Sequence, residues 1–207
     1  IEVLTFLDIG TSIEWLLKSG ARVQNLLTKG SLNHLKHQLK QTPEEHFKNI
    51  EENIKKAEEN SIISNIYLED WSNGMRDSKE YVIELLNFIS SLNIKRILLP
   101  DTLGILSPIQ TNSYVSEIVN KYPNQVFDFH GHNDYDLSVA NAMEAVNCGI
   151  NGLHLTVNGM GERAGNAPLA SVVSVINDFI PNVTTNINEK ALYKVGQIVS
   201  TLSLIHI

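Results

Sequence analysis

Cysteine is nearly absent: Cys148 is the only one in 207 residues. No intrachain disulfide can form and no thiolate-based zinc cluster can assemble, a usage that fits a reducing, cytoplasmic setting. Basic residues are scarce beside acidic ones. Sixteen Lys and Arg against 23 Asp and Glu leave a formal charge of −7, which argues against nucleic-acid or membrane-surface partners, since both want a basic face. No apolar run approaches the roughly 18–20 residues of a membrane span, and the opening residues carry no signal-like basic-then-apolar pattern. Low-complexity stretches and sequence-level repeats are missing too. What remains is 43% hydrophobic and 19% charged, enough for one substantial core and too little to promise two.

Short apolar runs alternate with helical patterns, the rhythm of βα units around a parallel sheet. Strands are expected near 1–7, 21–27, 62–69, 95–101, 125–132 and 152–157, and helices over 11–19, 31–40, 78–92, 108–120, 136–147 and 167–179, with one more from about Asn188. A further helix starts at Thr42-Pro43-Glu44-Glu45, where Thr42 caps, Pro43 takes the first turn and Glu45 closes a capping box. Phe47, Ile50, Ile54 and Ala57 then share one face. About six βα units fall two short of a (β/α)8 barrel, and periodicity alone leaves an open doubly wound sheet possible.

The chain opens inside an apolar β-branched run, so both ends read as cut. Residues 1–180 are expected to form a partial barrel, 181–201 a linker and the start of a C-terminal subdomain. The closing Leu202-Ser203-Leu204-Ile205-His206-Ile207 is similar to the translation of a sequencing adapter.

The strongest local signal is Phe127-Asp128-Phe129-His130-Gly131-His132-Asn133-Asp134 at a strand end. Alternation points His130 and His132 the same way, with Cα atoms roughly 6.5 Å apart, so one ion can bridge them; Asn133 or Asp134 would then fix a ring tautomer. The plainer reading is a polar strand surface. A second signal is Asn158-Gly159-Met160-Gly161-Glu162-Arg163-Ala164-Gly165-Asn166. A nucleotide loop fails on spacing, because Ala164 stands where a third glycine belongs and no Lys-Ser/Thr pair follows. Asn166 could instead cap the helix entered through Ala167 and Pro168. Tyr67-Leu68-Glu69-Asp70-Trp71 and Pro100-Asp101-Thr102-Leu103-Gly104 mark two more strand ends. Polar residues gathering at successive strand ends match an active site on the top face of a barrel. His37, His46 and His154 read as surface or packing histidines, and Cys148 as a small buried side chain near a helix end.

Together, His130-Gly131-His132-Asn133-Asp134 and Asn158 to Asn166 resemble the signature of the isopropylmalate, homocitrate and citramalate synthases. These share a barrel superfamily with hydroxymethylglutaryl-CoA lyase and pyruvate carboxyltransferase domains. The likeness runs to about residue 200 and includes Lys29 to His34, Glu69-Asp70 and Asp101 to Gly104. It implies an incomplete (β/α)8 barrel lacking its first two strands, and a Claisen-type condensation of acetyl-CoA, the co-substrate, with a 2-oxo acid. His130, His132 and Asn166 are implied ligands of one divalent cation (Zn, Mn or Mg). A fourth ligand, an aspartate, and an arginine would belong to the first strand of the family. Glu69 is implied to be catalytic, and His34, Tyr67 and Thr102 to contact the oxo acid. Gly161, Glu162, Arg163 and Gly165 would shape the loop. The lyases carry a cysteine in that loop and this chain does not, which favours a synthase, expected to be a homodimer at full length. Tyr67 is bulkier than the small residue common in isopropylmalate synthases and would shrink the cavity toward pyruvate.

Overall fold

Alternation of apolar runs with amphipathic segments produces six strands interleaved with helices. The computed structural model describes residues 1–8 and 10–203. The strands are β1 (Glu2–Phe6), β2 (Val23–Lys29), β3 (Ile63–Glu69), β4 (Arg96–Asp101), β5 (Phe127–Gly131) and β6 (Gly152–His154), forming one sheet in chain order. The registered pairs from β1 to β4 are parallel. The helices are α1 (Thr11–Ser19), α2 (Leu32–His34, continuing as a π-helical turn over Leu35–Leu39), α3 (Pro43–Glu59), α4 (Trp71–Asp77), α5 (Lys79–Ile89), α6 (Pro108–Lys121), α7 (Ser138–Asn147), α8 (Leu169–Phe179) and α9 (Glu189–Ser203). The adapter-like segment lies mostly outside the described residues, with only Leu202 and Ser203 inside, at the end of α9.

Two compact units share the chain. The first comprises Ile1–Thr102 and Tyr122–Asp128. Its side chains step up one sheet face in register. Asn25 pairs with Asn65 and Asn65 with Arg96, and Arg96 also bonds Asp128 at 3.0 Å and pairs with Glu2. Two residues on, Leu27, Tyr67 and Leu98 form the next level, and beyond them Lys29 lies opposite Glu69. Period-two alternation thus brings Tyr67 and Glu69 onto one face. On the helix side, Ile13, Leu16, Ala21, Ala57 and Ile62 close a buried cluster. The Thr42 capping box is present, its hydroxyl accepting from the Glu45 N–H at 3.3 Å while the Glu45 carboxylate accepts from the Thr42 N–H at 2.8 Å.

Helix α4 departs from the sequence expectation, which placed no helix between the strand ending at Glu69 and residue 78. Gly74 marks a loop by propensity, but its bare Cα lets the Gly30 carbonyl approach so closely that a Cβ would sit 1.9 Å from that oxygen. Tertiary packing overrides the local preference, and the contact brings Ser31 beside the start of α4.

The second unit comprises Leu103–Lys121 and Phe129–Ile207, with Ala142, Ala167, Val172, Ile176 and Ile180 as its buried cluster. Cys148 caps the end of α7 half-buried rather than fully packed, and its sulfur contacts the Ser116 hydroxyl at 3.1 Å. Among the described residues no helix is long and apolar enough to cross a membrane.

His46 gives this fold a pH dependence. Fully buried on α3, it accepts the Lys29 main-chain N–H through Nε2 at 3.2 Å. Burial, with the Lys29 charge adding to it, lowers its pKa to about 4. Above the unfolded value near 6.5 both states are neutral there. Below it the unfolded chain binds a proton that the folded chain refuses, so this stability is lost as pH falls from 6.5 through 4, by up to about 3 kcal/mol. Chemical unfolding across this range should therefore be flatter in His46→Gln than in the wild type. Equal slopes would refute the assignment.

Candidate metal centre and a polar cluster

Strand β5 ends with its alternating side chains delivering His130 and His132 side by side. Their ring centroids lie 5.0 Å apart at 87°. His130 Nδ1 is 3.4 Å from the His154 carbonyl oxygen, and a proton donated there leaves the lone pair on Nε2. Burial, reinforced by His132, lowers the His130 pKa to about 4, so the ring is neutral and able to ligate at neutral pH. Each imidazole points out of one strand face, the arrangement alternation predicts.

Asn166 reaches the same place through backbone pairing. It bridges antiparallel to His132, with the Asn133 N–H donating to the Gly165 carbonyl at 2.9 Å and the Ala167 N–H to that of Gly131 at 3.0 Å. The alternative role as a helix cap is overturned, because α8 begins at Leu169 after Pro168. A residue before proline is driven out of the helical region, so Ala167 cannot take the first helical turn. The Asn166 amide nitrogen donates to the Met160 carbonyl at 3.0 Å. Its carbonyl oxygen, in contrast, is buried with no hydrogen-bond partner among the described residues. A buried acceptor in that state costs about 1–3 kcal/mol unless a cation or donor meets it.

The loop is built around that amide. A Cβ on Gly161 would sit 2.5 Å from the Asn166 Nδ2, and Gly165 holds φ at +87°. Arg163 grips Asp134 with two bonds, Nε to Oδ1 at 2.7 Å and a terminal guanidinium nitrogen to Oδ2 at 2.9 Å. These hydrogen bonds hold the Asp134 carboxyl below the usual carboxylate range. Asn133 Oδ1 accepts from the Ser138 N–H at 3.1 Å and hydroxyl at 2.6 Å. The expected service of Asn133 to the imidazoles is thereby corrected, since its side-chain oxygen serves the Ser138 turn, whereas Asp134, held by the loop arginine, also interacts electrostatically with His132. Glu162, Arg163 and Gly161 are exposed, while Gly165 and Asn166 are buried.

Two imidazoles and one amide oxygen form an open donor set suited to several divalent ions. Three donors leave a position for a carboxylate, water or substrate; among the described residues no group of three His, Cys, Asp or Glu could hold a metal, so the set depends on the Asn166 amide. The residues fit a metal on the strength of the orphaned Asn166 oxygen and the adjoining imidazole pair, of which His130 is kept neutral by burial. His154, read as a packing histidine, contributes its carbonyl to His130, and its ring lies 6.4 Å from that of His130. Its position at the end of β6 is the signal that sequence reading passed over.

The first unit carries its own polar cluster. Lys29 pairs with the Glu69 carboxylate and donates to Gln38 Oε1 at 2.8 Å. His34 Nδ1 lies 4.0 Å from Glu69 and Nε2 3.5 Å from Asp70. The Thr102 hydroxyl accepts the Asp70 N–H at 2.8 Å. Glu69, His34 and Thr102 thus belong to one network, with Tyr67 one level below on the sheet face. Lys29 and Asp70 were given no role by sequence reading.

A family model described as HMGL-like matches residues 8–199. The chain is 33% identical over 170 residues to a probable 2-isopropylmalate synthase of Ignicoccus hospitalis, covering 82% of the chain and 42% of that protein. It is 32% identical over 192 residues to a 2-isopropylmalate synthase of Saccharolobus solfataricus, covering 92% and 49%. A homocitrate synthase of Saccharolobus islandicus is 36% identical over 143 residues, 69% and 30% of the two chains. The chain spans under half the length of these curated relatives. Among solved structures, a hydroxymethylglutaryl-CoA lyase of Pseudomonas aeruginosa superposes with a TM-score of 0.84 at 16% identity, over 97% of this chain and 69% of that one. The fold is accordingly that of a partial (β/α)8 barrel.

Proposed function

Given that the chain belongs to the HMGL-like family, we propose that it is the catalytic part of a metal-dependent acyltransferase condensing acetyl-CoA with a 2-oxo acid, 2-isopropylmalate being the favoured product. One observation carries this reading: the buried, partnerless Asn166 oxygen held by backbone pairing beside His132 and its neighbour His130. A divalent cation there would supply Lewis acidity toward a keto oxygen. The protein's own contribution is orientation. His130 is kept neutral and aimed by the His154 carbonyl, and Asn166 is kept in line by Gly161 and Gly165. In the first unit Lys29 pairs with the Glu69 carboxylate and fixes its direction, and Glu69 in turn orients the base that takes the methyl proton of acetyl-CoA. We assign oxo-acid contacts to His34, Tyr67 and Thr102, and a homodimeric, cytoplasmic setting to the full-length protein.

The loop favours synthesis over cleavage, since Met160 to Asn166 contains no cysteine. A second product has one specific support. Tyr67 stands level with Leu27 and Leu98 on the Glu69 face, a bulky apolar layer that fits a short oxo acid such as pyruvate and hence citramalate. Homocitrate, the product of another group of relatives, needs a longer acid.

The test is CoA release by the full-length gene product, supplied in turn with pyruvate, 2-oxoisovalerate and 2-oxoglutarate after reloading with Zn, Mn or Mg. Release with 2-oxoisovalerate supports the favoured product, and release with pyruvate alone the second. Cleavage of hydroxymethylglutaryl-CoA with no condensation would replace the proposal with a lyase. Metal binding without any turnover would leave an inactive metal-binding barrel.

A further inference from the structure

Asp70 is wholly buried and adopts a left-handed backbone, φ +66°, at the cap position of α4. An aspartate there ordinarily accepts a first-turn N–H, yet this one makes no such bond. Its carboxylate is committed elsewhere. Oδ2 accepts from the Ser31 hydroxyl at 2.6 Å and lies 3.5 Å from His34 Nε2, and Oδ1 accepts from Asn73 Nδ2 at 2.8 Å. The Ser31 hydroxyl also accepts the His34 N–H at 3.2 Å, so the same serine starts the turn that carries the imidazole. Meanwhile the Asp70 N–H is given to Thr102 Oγ1.

A buried carboxylate costs several kcal/mol unless donors and positive charge meet it. Ser31 and Asn73 are neutral donors that an asparagine side chain could satisfy in part. The one partner that needs the full negative charge is the imidazole edge. Asp70 at 3.5 Å from Nε2 is nearer than Glu69 at 4.0 Å from Nδ1, so the ring is stabilised with its proton on Nε2. A left-handed backbone is open to aspartate as a single residue, and such positions gather where geometry serves a site.

We propose that Asp70 is the positioning residue of this cluster: its carboxylate selects the His34 tautomer and its main-chain N–H fixes the Thr102 hydroxyl, so one residue aligns both groups. The inference rests on the reading of His34 and Thr102 as oxo-acid contacts, but its first readout does not need turnover.

Asp70→Asn is the decisive variant, since asparagine is isosteric and tolerates the left-handed backbone. In full-length protein with 15N-labelled histidine, His34 is assigned by the signal missing from His34→Gln. The wild type should show Nε2 protonated, and Asp70→Asn a mixture of tautomers. Ser31→Ala, which leaves the charge but removes the tie at 2.6 Å, should move the same signals by less, and it carries the test if Asp70→Asn fails to fold. Where condensation is measurable, KM for the oxo acid should rise about tenfold or more, as expected for a charged hydrogen bond lost. KM for acetyl-CoA and metal affinity should stay within about twofold, which distinguishes alignment from general loosening. Unchanged His34 signals in the folded variants would overturn the proposal. Absent turnover in the wild type with shifted signals would overturn the acyltransferase reading and leave the role of Asp70 standing.

Discussion

His132→Ala in the full-length protein is expected to weaken divalent-metal binding by more than about 100-fold, since even the groups that merely orient a ligand are worth 10–100-fold. Oxo-acid-dependent CoA release should fall to background with it. The fold should survive, because what ties this position to the rest of its unit is main chain: His132 bridges Asn166, and the flanking Asn133 and Ala167 N–H groups bond across to the loop and the strand. Removing the ring leaves a small gap at a site that is 8% exposed, for which a cost of roughly 1–3 kcal/mol is expected. A second signature separates this result from unfolding. His132 is the next cause after burial of the low His130 pKa, so the variant should bind a proton at His130 more readily, readable by histidine NMR. Metal titration, turnover and NMR on one sample decide the matter, and turnover at the wild-type level would remove His132 from the site.

The legible parts of this protein were those encoded by local period. Strand alternation placed His130 beside His132 and Tyr67 on the face of Glu69, and the Thr42-to-Glu45 box announced α3 with its bonds as they stand. The illegible parts depend on residues distant in sequence. Helix α4 exists because Gly74 meets Gly30 across 44 positions, a contact no window over Trp71–Asp77 can reveal. Asp70 acquires a role only when Ser31 and His34 are brought to it. Asn166 is the instructive case, since a carboxamide before Ala167-Pro168 and a helix invites the cap reading. The proline itself argued against that reading, because Ala167 must stay extended, and an extended residue there is what pairs the loop with β5.

Gly165→Ala is expected to disable the metal centre without touching a single proposed ligand. At φ +87° an alanine pays about 1–2 kcal/mol for the left-handed backbone alone. Its Cβ would also fall 2.1 Å from the Gly159 carbonyl oxygen. That oxygen accepts the Asn166 N–H at 2.9 Å, and the carbonyl of Gly165 accepts the Asn133 N–H at 2.9 Å. Relief therefore requires moving one of the two bonds that hold Asn166 in register with His132, and the side-chain oxygen moves with them. The combined penalty is about 3 kcal/mol, a fall in melting temperature of roughly 6–12 °C for a chain of this size unfolding as a whole. Metal affinity should drop at least about 100-fold, as for loss of a ligand or its support. Ala164→Gly, one residue earlier and exposed, is the control and should bind metal as the wild type does. Wild-type affinity in Gly165→Ala would mean that the amide of Asn166 does not ligate, because the loop cannot accept that methyl and keep the oxygen where it is.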